Sequence, residues 1–347
     1  MKRVMHRTAR RERLRLSLKT FRDMPRILIT GAAGFIGQIV TKALLDDESH
    51  QLTLVDVVEP PIPRGSKYPE NATTIKADLI ESSASIIPDG LDTAILLHGV
   101  MSSAAEADLE LGYRVNVDAT RALLFNLAKR CPGVRVIYAS SEAVYGTPLP
   151  KDGVSEATNC TPEMTYGCQK LICETFINDF TRRGMINGFS LRFPTISIRP
   201  GKPSPAVSAF LSGIIREPLN GLECRVPLKD RTWRHWMCSP KTLVHNVIVA
   251  TKLPMDALAP HRRAVNVPGF AVTVQDMMDA LEQVGGKDKL ALVKEEVVPE
   301  MQSLLYSWAD DFDNSLGLSL GMRQDTSFLQ SCRDYIETMK EEASAMN

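Results

Sequence analysis

The sequence has no excess charge of either sign: its 347 residues carry 41 Lys and Arg against 41 Asp and Glu. No global field therefore recruits nucleic acid or an acidic surface, and partners must be read from local sites. No run approaches the roughly 20 apolar residues needed to span a bilayer. The N-terminus also lacks the apolar core of a secretory signal. Seven cysteines are scattered, with no C-x-x-C pair and no spacing suited to zinc, and an odd number argues against a disulfide framework. These absences predict a cytoplasmic protein without a membrane or metal role.

The length allows one large or two ordinary domains with an ample core. Residues 1–24 differ from the rest, with nine Lys/Arg against Glu12 and Asp23 and no strand signal. They read as a disordered leader, a mitochondrial presequence being the competing reading. The fold is expected to begin at Pro25.

Just beyond, the apolar run Ile27-Leu28-Ile29 stops at Thr30-Gly31. Gly34 and Gly37 follow at three-residue spacing, and Ile36, Val40, Ala43 and Leu44 recur at helical period. The pattern predicts strand, tight turn and helix. A backbone free of side chains can approach a pyrophosphate, with the N–H groups and positive dipole end of the helix facing it. This Gly-x-x-Gly-x-x-Gly spacing differs from the G-x-G-x-x-G fingerprint, and such turns also serve packing alone. A second strand, Leu52 to Val55, ends in Asp56, about 20 residues past the glycines, where a carboxylate accepts the adenosine ribose hydroxyls. An acid there repels a 2′-phosphate, which favours NAD over NADP.

Strand patterns at 26–30, 52–56, 73–76, 93–98, 134–139 and 188–193 are separated by intervals long enough for crossover helices. Such alternation predicts an α/β fold, a parallel sheet with helices on both faces. Ligands then sit beyond the carboxyl ends of the strands. Asp78-Leu79 follows strand three, and Leu97-His98-Gly99-Val100 runs from strand four into Ser102. His98, alone on an apolar strand, reads as a core residue rather than a base. A long helix is expected over 106–130, with Asn116 beside its apolar stripe, and strand five opens into Ser140-Ser141.

Tyr166 and Lys170 stand four apart, on one face of a helix expected over 165–183. A phenol is ordinarily a poor base at neutral pH, and a nearby ammonium favours the phenolate. Ser141 can hold a substrate hydroxyl in line while the phenol takes its proton.

With these motifs in order, the chain resembles the extended short-chain dehydrogenase/reductases, the NAD-dependent epimerase/dehydratase type, from Pro25 to about Tyr335. The likeness rests on the three glycines, Asp56, Asp78-Leu79, Asn116, the segment Ser140 to Gly146, and Tyr166 with Lys170. It implies a Rossmann doubly wound sheet over 25–200. Residues 201–347 would be mainly a smaller substrate domain, with segments returning to the Rossmann half. Catalysis is implied for Ser141, Tyr166 and Lys170. NAD contacts are implied for Gly31, Gly34, Phe35, Ile36, Gly37, Asp56, Asp78, Leu79, Leu97, Asn116, Tyr166, Lys170 and Pro194. A homodimer paired through the 106–130 and 165–183 helices is implied as well. His98-Gly99 and Leu96 depart from the family's usual nicotinamide wall, and Glu142 is bulkier and more acidic than its usual residue.

Stretches 105–116, 191–203, 212–219 and 234–236 are most similar to family members that oxidise the C2 hydroxyl of a small sugar acid. Ser102, Ser141, Tyr166 and Thr195 would meet that substrate. Arg199, Lys202, Arg231 and Arg234 supply cations suited to an anionic acid, although a nucleotide diphosphate wants the same charges. The alternatives are a sugar-nucleotide epimerase or dehydratase, a uronate dehydrogenase, and, from another class, a dinucleotide sensor without turnover. Beyond residue 200, helices are expected around 205–216, 239–251, 273–284 and 326–342.

Overall fold

The computed structural model describes residues 24–201 and 207–344, the last three without their side chains. The leader expected over 1–24, Met24 apart, and Lys202 lie outside the described residues. Among the described residues twelve strands follow in chain order. The first six are β1 (Arg26–Thr30), β2 (Gln51–Asp56), β3 (Ala72–Lys76), β4 (Thr93–Leu96), β5 (Arg135–Ser141) and β6 (Asn187–Phe193). The rest are shorter: β7 (Thr195–Ile196), β8 (Cys224–Val226), β9 (Arg234–Cys238), β10 (Ala264–Asn266), β11 (Phe270–Thr273) and β12 (Val293–Glu295). The six expected strands all form, each within a few residues of its expected bounds.

Seven strands build one sheet in the order β10-β6-β5-β4-β1-β2-β3, every pair parallel. β1 is buried at Ile27, Leu28, Ile29 and Thr30 in succession, as a strand covered by helices on both faces must be. One layer of apolar packing joins Ile27, Ile29, Val40 and Leu44 to Leu243, Val247 and Val265; the other joins Leu28, Ala94 and Val136 to Leu123, Leu127 and Ile177. The sheet is therefore a doubly wound Rossmann sheet. Its seventh strand, β10, comes from well beyond residue 200. A separate core gathers Phe210, Trp233, Met237, Met277, Leu281 and Leu305 around the three-stranded sheet β11-β9-β7.

The helices that matter for the site are α1 (Phe35–Leu45), α2 (Ala119–Arg130), α3 (Thr165–Arg182), α4 (Phe210–Leu219), α5 (Pro240–Lys252) and α6 (Val274–Leu290). The helix expected over 106–130 is broken. Asp108 leaves helical geometry, ends a short helix over Ser102–Ala107, and caps the next with its carboxylate on Leu111 N at 2.9 Å. A wider, π-type stretch over Tyr113–Asp118 then leads into α2. A polar residue that bonds its own backbone competes with the helix, and here it divides one.

Candidate active site

The glycine turn needs its glycines for two reasons. Gly31 has φ +69°, and a Cβ there would lie 2.6 Å from the backbone of Leu97 and His98. On Gly37 a Cβ would lie 2.3 Å from Gly31 O, so the helix presses on the turn. Gly34 caps α1 with no side chain over its amides. Those amides stay free for a ligand, as an anion-binding helix end requires. Phe35 and Ile36 turn partly inward onto the core. Asp56 ends β2 with Oδ2 accepting from Ala33 N at 3.0 Å and Oδ1 from Val57 N at 2.7 Å. Its carboxylate is thereby fixed at the turn with lone pairs to spare. Asp78 caps the short helix Leu79–Ser82 through Ile80 N. The cradle and the carboxylate fit a dinucleotide.

Asn116 is buried and reaches across to the loop after β4. Its Oδ1 accepts from Val100 N at 2.7 Å, and its Nδ2 donates to Val100 O at 3.0 Å and to Gln169 Oε1 at 2.6 Å. Gly99 lies beside it: a Cβ there would sit 3.0 Å from Asn116 Oδ1 and 3.7 Å from Lys170 Nζ. The clamp fixes Leu97 to Val100, and Ser102 opens the next short helix, half-buried.

His98 is held at both ring nitrogens. Its Nδ1 lies 2.7 Å from Thr30 Oγ1 and its Nε2 3.0 Å from Thr120 Oγ1. Thr120 spends its proton on Asn116 O at 2.7 Å, so His98 Nε2 donates to it and Nδ1 accepts from Thr30. Burial, and secondarily Lys170, push the His98 pKa down to about 3.

Lys170 is 4% exposed and donates to Ala139 O at 2.7 Å. Its Nζ lies 4.8 Å from the Tyr138 ring centre and 5.4 Å from that of Tyr166. The phenol and the ammonium are thus stacked one turn apart at the start of α3. A Cβ on Gly167 would lie 2.0 Å from Ala143 O, so only glycine lets that first turn press on the segment after Ser141. Glu106 supplies the missing cap, accepting from Thr165 N at 3.0 Å. Sequence reasoning missed Gly167, Gln169 and Glu106; a glycine inside a helix start was the one signal available.

Ser141 ends β5 opposite Phe193 in β6, and its Oγ accepts from Ala143 N at 3.1 Å. Beneath it runs a buried network. Ser140 Oγ donates to Glu174 at 2.5 Å, Arg192 grips both oxygens of Glu174 at 2.9 and 2.6 Å, and Arg192 also reaches Tyr145 OH at 2.5 Å. That network ties β5, β6 and α3 into one seat.

Glu142 lies next to this seat and is poorly served. Its Oε1 is buried with no hydrogen-bond partner among the described residues, and burial raises its pKa well above the carboxylate range. Folding then takes up a proton. Stability from the neutral acid is full below its unfolded pKa of about 4.3 and is lost as pH rises. Replacing Glu142 with Gln should raise the melting temperature, and the gap from wild type should widen as pH rises above about 5. A gap that ignores pH in circular-dichroism melts would show that the carboxyl is solvated.

Past Pro194, which is buried, lie Thr195 and Arg199. Thr195 Oγ1 is 2.7 Å from His235 Nε2. The Arg199 backbone is fastened to α4, its N donating to Ser212 Oγ at 3.1 Å and its O accepting from Arg216 Nη1 at 2.8 Å. Burial and then Arg216 pull the guanidinium's pKa below its ordinary value, and the nearby Tyr166 phenol acts in the opposite sense. No carboxylate pairs with Arg199 among the described residues. Arg234 differs: it binds Asp310 at 2.7 Å and lies 3.7 Å from Asp311. Arg231 is likewise paired, with Glu295 at 2.5 Å.

The chain is similar to known proteins in sequence and in fold. The pattern of the NAD dependent epimerase/dehydratase family matches residues 27–244. The chain belongs to that family. It is accordingly an NAD-dependent oxidoreductase. D-erythronate dehydrogenase of Haemophilus influenzae is 38% identical over 90% of this chain and 99% of its own length. The enzyme of the same name from Cupriavidus necator is 37% identical over 90% and 98%. A solved structure, the nucleoside-diphosphate-sugar epimerase from Agrobacterium tumefaciens, superposes with a TM-score of 0.84 at 34% identity over 90% of this chain and 94% of that one. Among the described residues, no helix is long and apolar enough to cross a membrane.

Proposed function

We propose that this family member oxidises the C2 hydroxyl of a small sugar acid, converting D-erythronate to 2-dehydro-D-erythronate. The observation that carries the reading is Arg199: a largely enclosed guanidinium, unpaired among the described residues, near the phenol of Tyr166. In a 2-hydroxy acid the carboxylate sits on the carbon next to the reacting one. A fixed cation beside the base therefore suits it. In a sugar nucleotide the diphosphate lies across the ring from the oxidised carbon and asks for cations farther away.

NAD, held by the glycine turn, Asp56 and the loop after β4, supplies the hydride acceptor when bound. The residues of the chain do the rest. Ser141 hydrogen-bonds the C2 hydroxyl and orients it. Tyr166 takes the hydroxyl proton, and Lys170 favours the negative charge that the phenol oxygen carries. Arg199 holds the carboxylate, while Pro194 backs the nicotinamide side. Exposed Leu109, Tyr113 and Phe125 along the 109–130 stretch support a homodimer through that face.

The test is NADH absorbance with purified protein and a panel of four-carbon aldonates, uronates and sugar nucleotides. Net NADH from D-erythronate with NAD, and little with NADP, is expected. A sugar-nucleotide epimerase, the activity for which the Agrobacterium protein is named, would convert its substrate without net NADH.

A further inference from the structure

Behind Thr195 stands a histidine that this reaction does not use. His235, on β9, is 6% exposed. Its ring stacks on Trp233, with centroids 5.6 Å apart and planes 7° from parallel, and Trp308 covers it at 5.1 Å. Nε2 lies 2.7 Å from Thr195 Oγ1. Nδ1 is buried with no hydrogen-bond partner among the described residues. An unpaired polar atom this deep asks for a reason.

A neutral imidazole carries a single N–H, and burial keeps this one neutral, pushing its pKa down to about 4 against a weaker opposing pull from Asp310. Placed on Nδ1, that hydrogen would be a buried donor without an acceptor, a rarer defect than a bare lone pair. Placed on Nε2, it points at Thr195 Oγ1. The hydroxyl of Thr195 then has an occupied lone pair and a proton still to give.

We infer that His235 is a positioning residue whose Nε2–H donates to Thr195 Oγ1, turning the Thr195 hydroxyl into a donor aimed at an acceptor oxygen of the substrate. The placement fits. Thr195 is half-buried, lies two residues past Phe193, the register partner of Ser141, and precedes Arg199 by four. Only the identity of the oxygen, a hydroxyl or carboxylate oxygen of a small acid, rests on the function proposed above. A hydroxyl locked as a donor selects for an acceptor at that position and penalises an analogue that lacks one.

Two measurements test this. Nitrogen-15 NMR of protein labelled at its six histidines reports each ring's tautomer, and His235→Phe identifies the signal. The expected result is a neutral ring protonated on Nε2, perturbed by Thr195→Val; the Nδ1–H tautomer or an imidazolium at neutral pH overturns the inference. Should His235→Phe fail to fold, the Thr195→Val perturbation makes the assignment. In kinetics, His235→Phe and Thr195→Val should each raise KM about tenfold with kcat little changed. The double variant should be no worse than the worse single one, and His235→Gln should recover part of the loss through its amide N–H. Additive losses, or a fall in kcat at unchanged KM, overturn it. The kinetics use whichever compound the wild type oxidises. If that is only a sugar nucleotide, the small-acid reading falls, while the tautomer and the coupling still decide the role of His235.

Discussion

Replacing Tyr166 with Phe should lower kcat by about 10²–10⁴-fold and weaken NAD binding far less. The change removes one oxygen from a half-buried ring at the first turn of α3, and the helix does not depend on that atom for its cap, which Glu106 provides. Lys170 keeps its bond to Ala139 O, so the ammonium stays in place. What disappears is the acceptor for the substrate proton. A loss of that size is about 3–5 kcal/mol in the barrier. It should appear in single-turnover NADH formation, with a much smaller change in NAD affinity by fluorescence titration and a melting temperature near wild type. Activity within tenfold of wild type would mean that another group takes the proton.

How much of this was legible beforehand follows from the range of each signal. The β1 turn, Asp56 and the six long strands are written in contiguous residues, where period and glycine spacing are readable. Tyr166 and Lys170 share one helical turn, so their pairing was legible too. β10 was not: three residues, Ala264 to Asn266, have no period, and only their pairing with β6 makes them a strand. The break at Asp108 was visible as a residue type but not as an event, because an aspartate in a helix pattern caps or points outward with equal ease. The division among the arginines lay further from reach. Arg199, Arg231 and Arg234 look alike in a string, and only folding shows that Glu295, Asp310 and Asp311 claim two of them.

That division leads to the second large effect. Arg199→Met should raise KM for D-erythronate by about 30- to 5,000-fold, the range of about 2–5 kcal/mol for losing one partner of a desolvated charge pair. Arg199→Lys should recover little, since an ammonium lacks the fork that holds a carboxylate at two points. Arg234→Met, by contrast, should change KM only slightly, because that guanidinium already spends its charge on Asp310. Erythritol, which keeps the C2 hydroxyl but has no carboxylate, separates recognition from collapse of the site: wild type should strongly prefer the acid, and Arg199→Met should lose most of that preference. The free protein should not suffer. Burying an unpaired cation beside Arg216 costs stability, so its removal should leave the melting temperature equal or higher. A variant that is more stable and yet blind to the carboxylate would place Arg199 among residues kept for the ligand rather than for the fold. An unchanged KM would instead leave its enclosed charge without a purpose, and the small-acid reading without its main support.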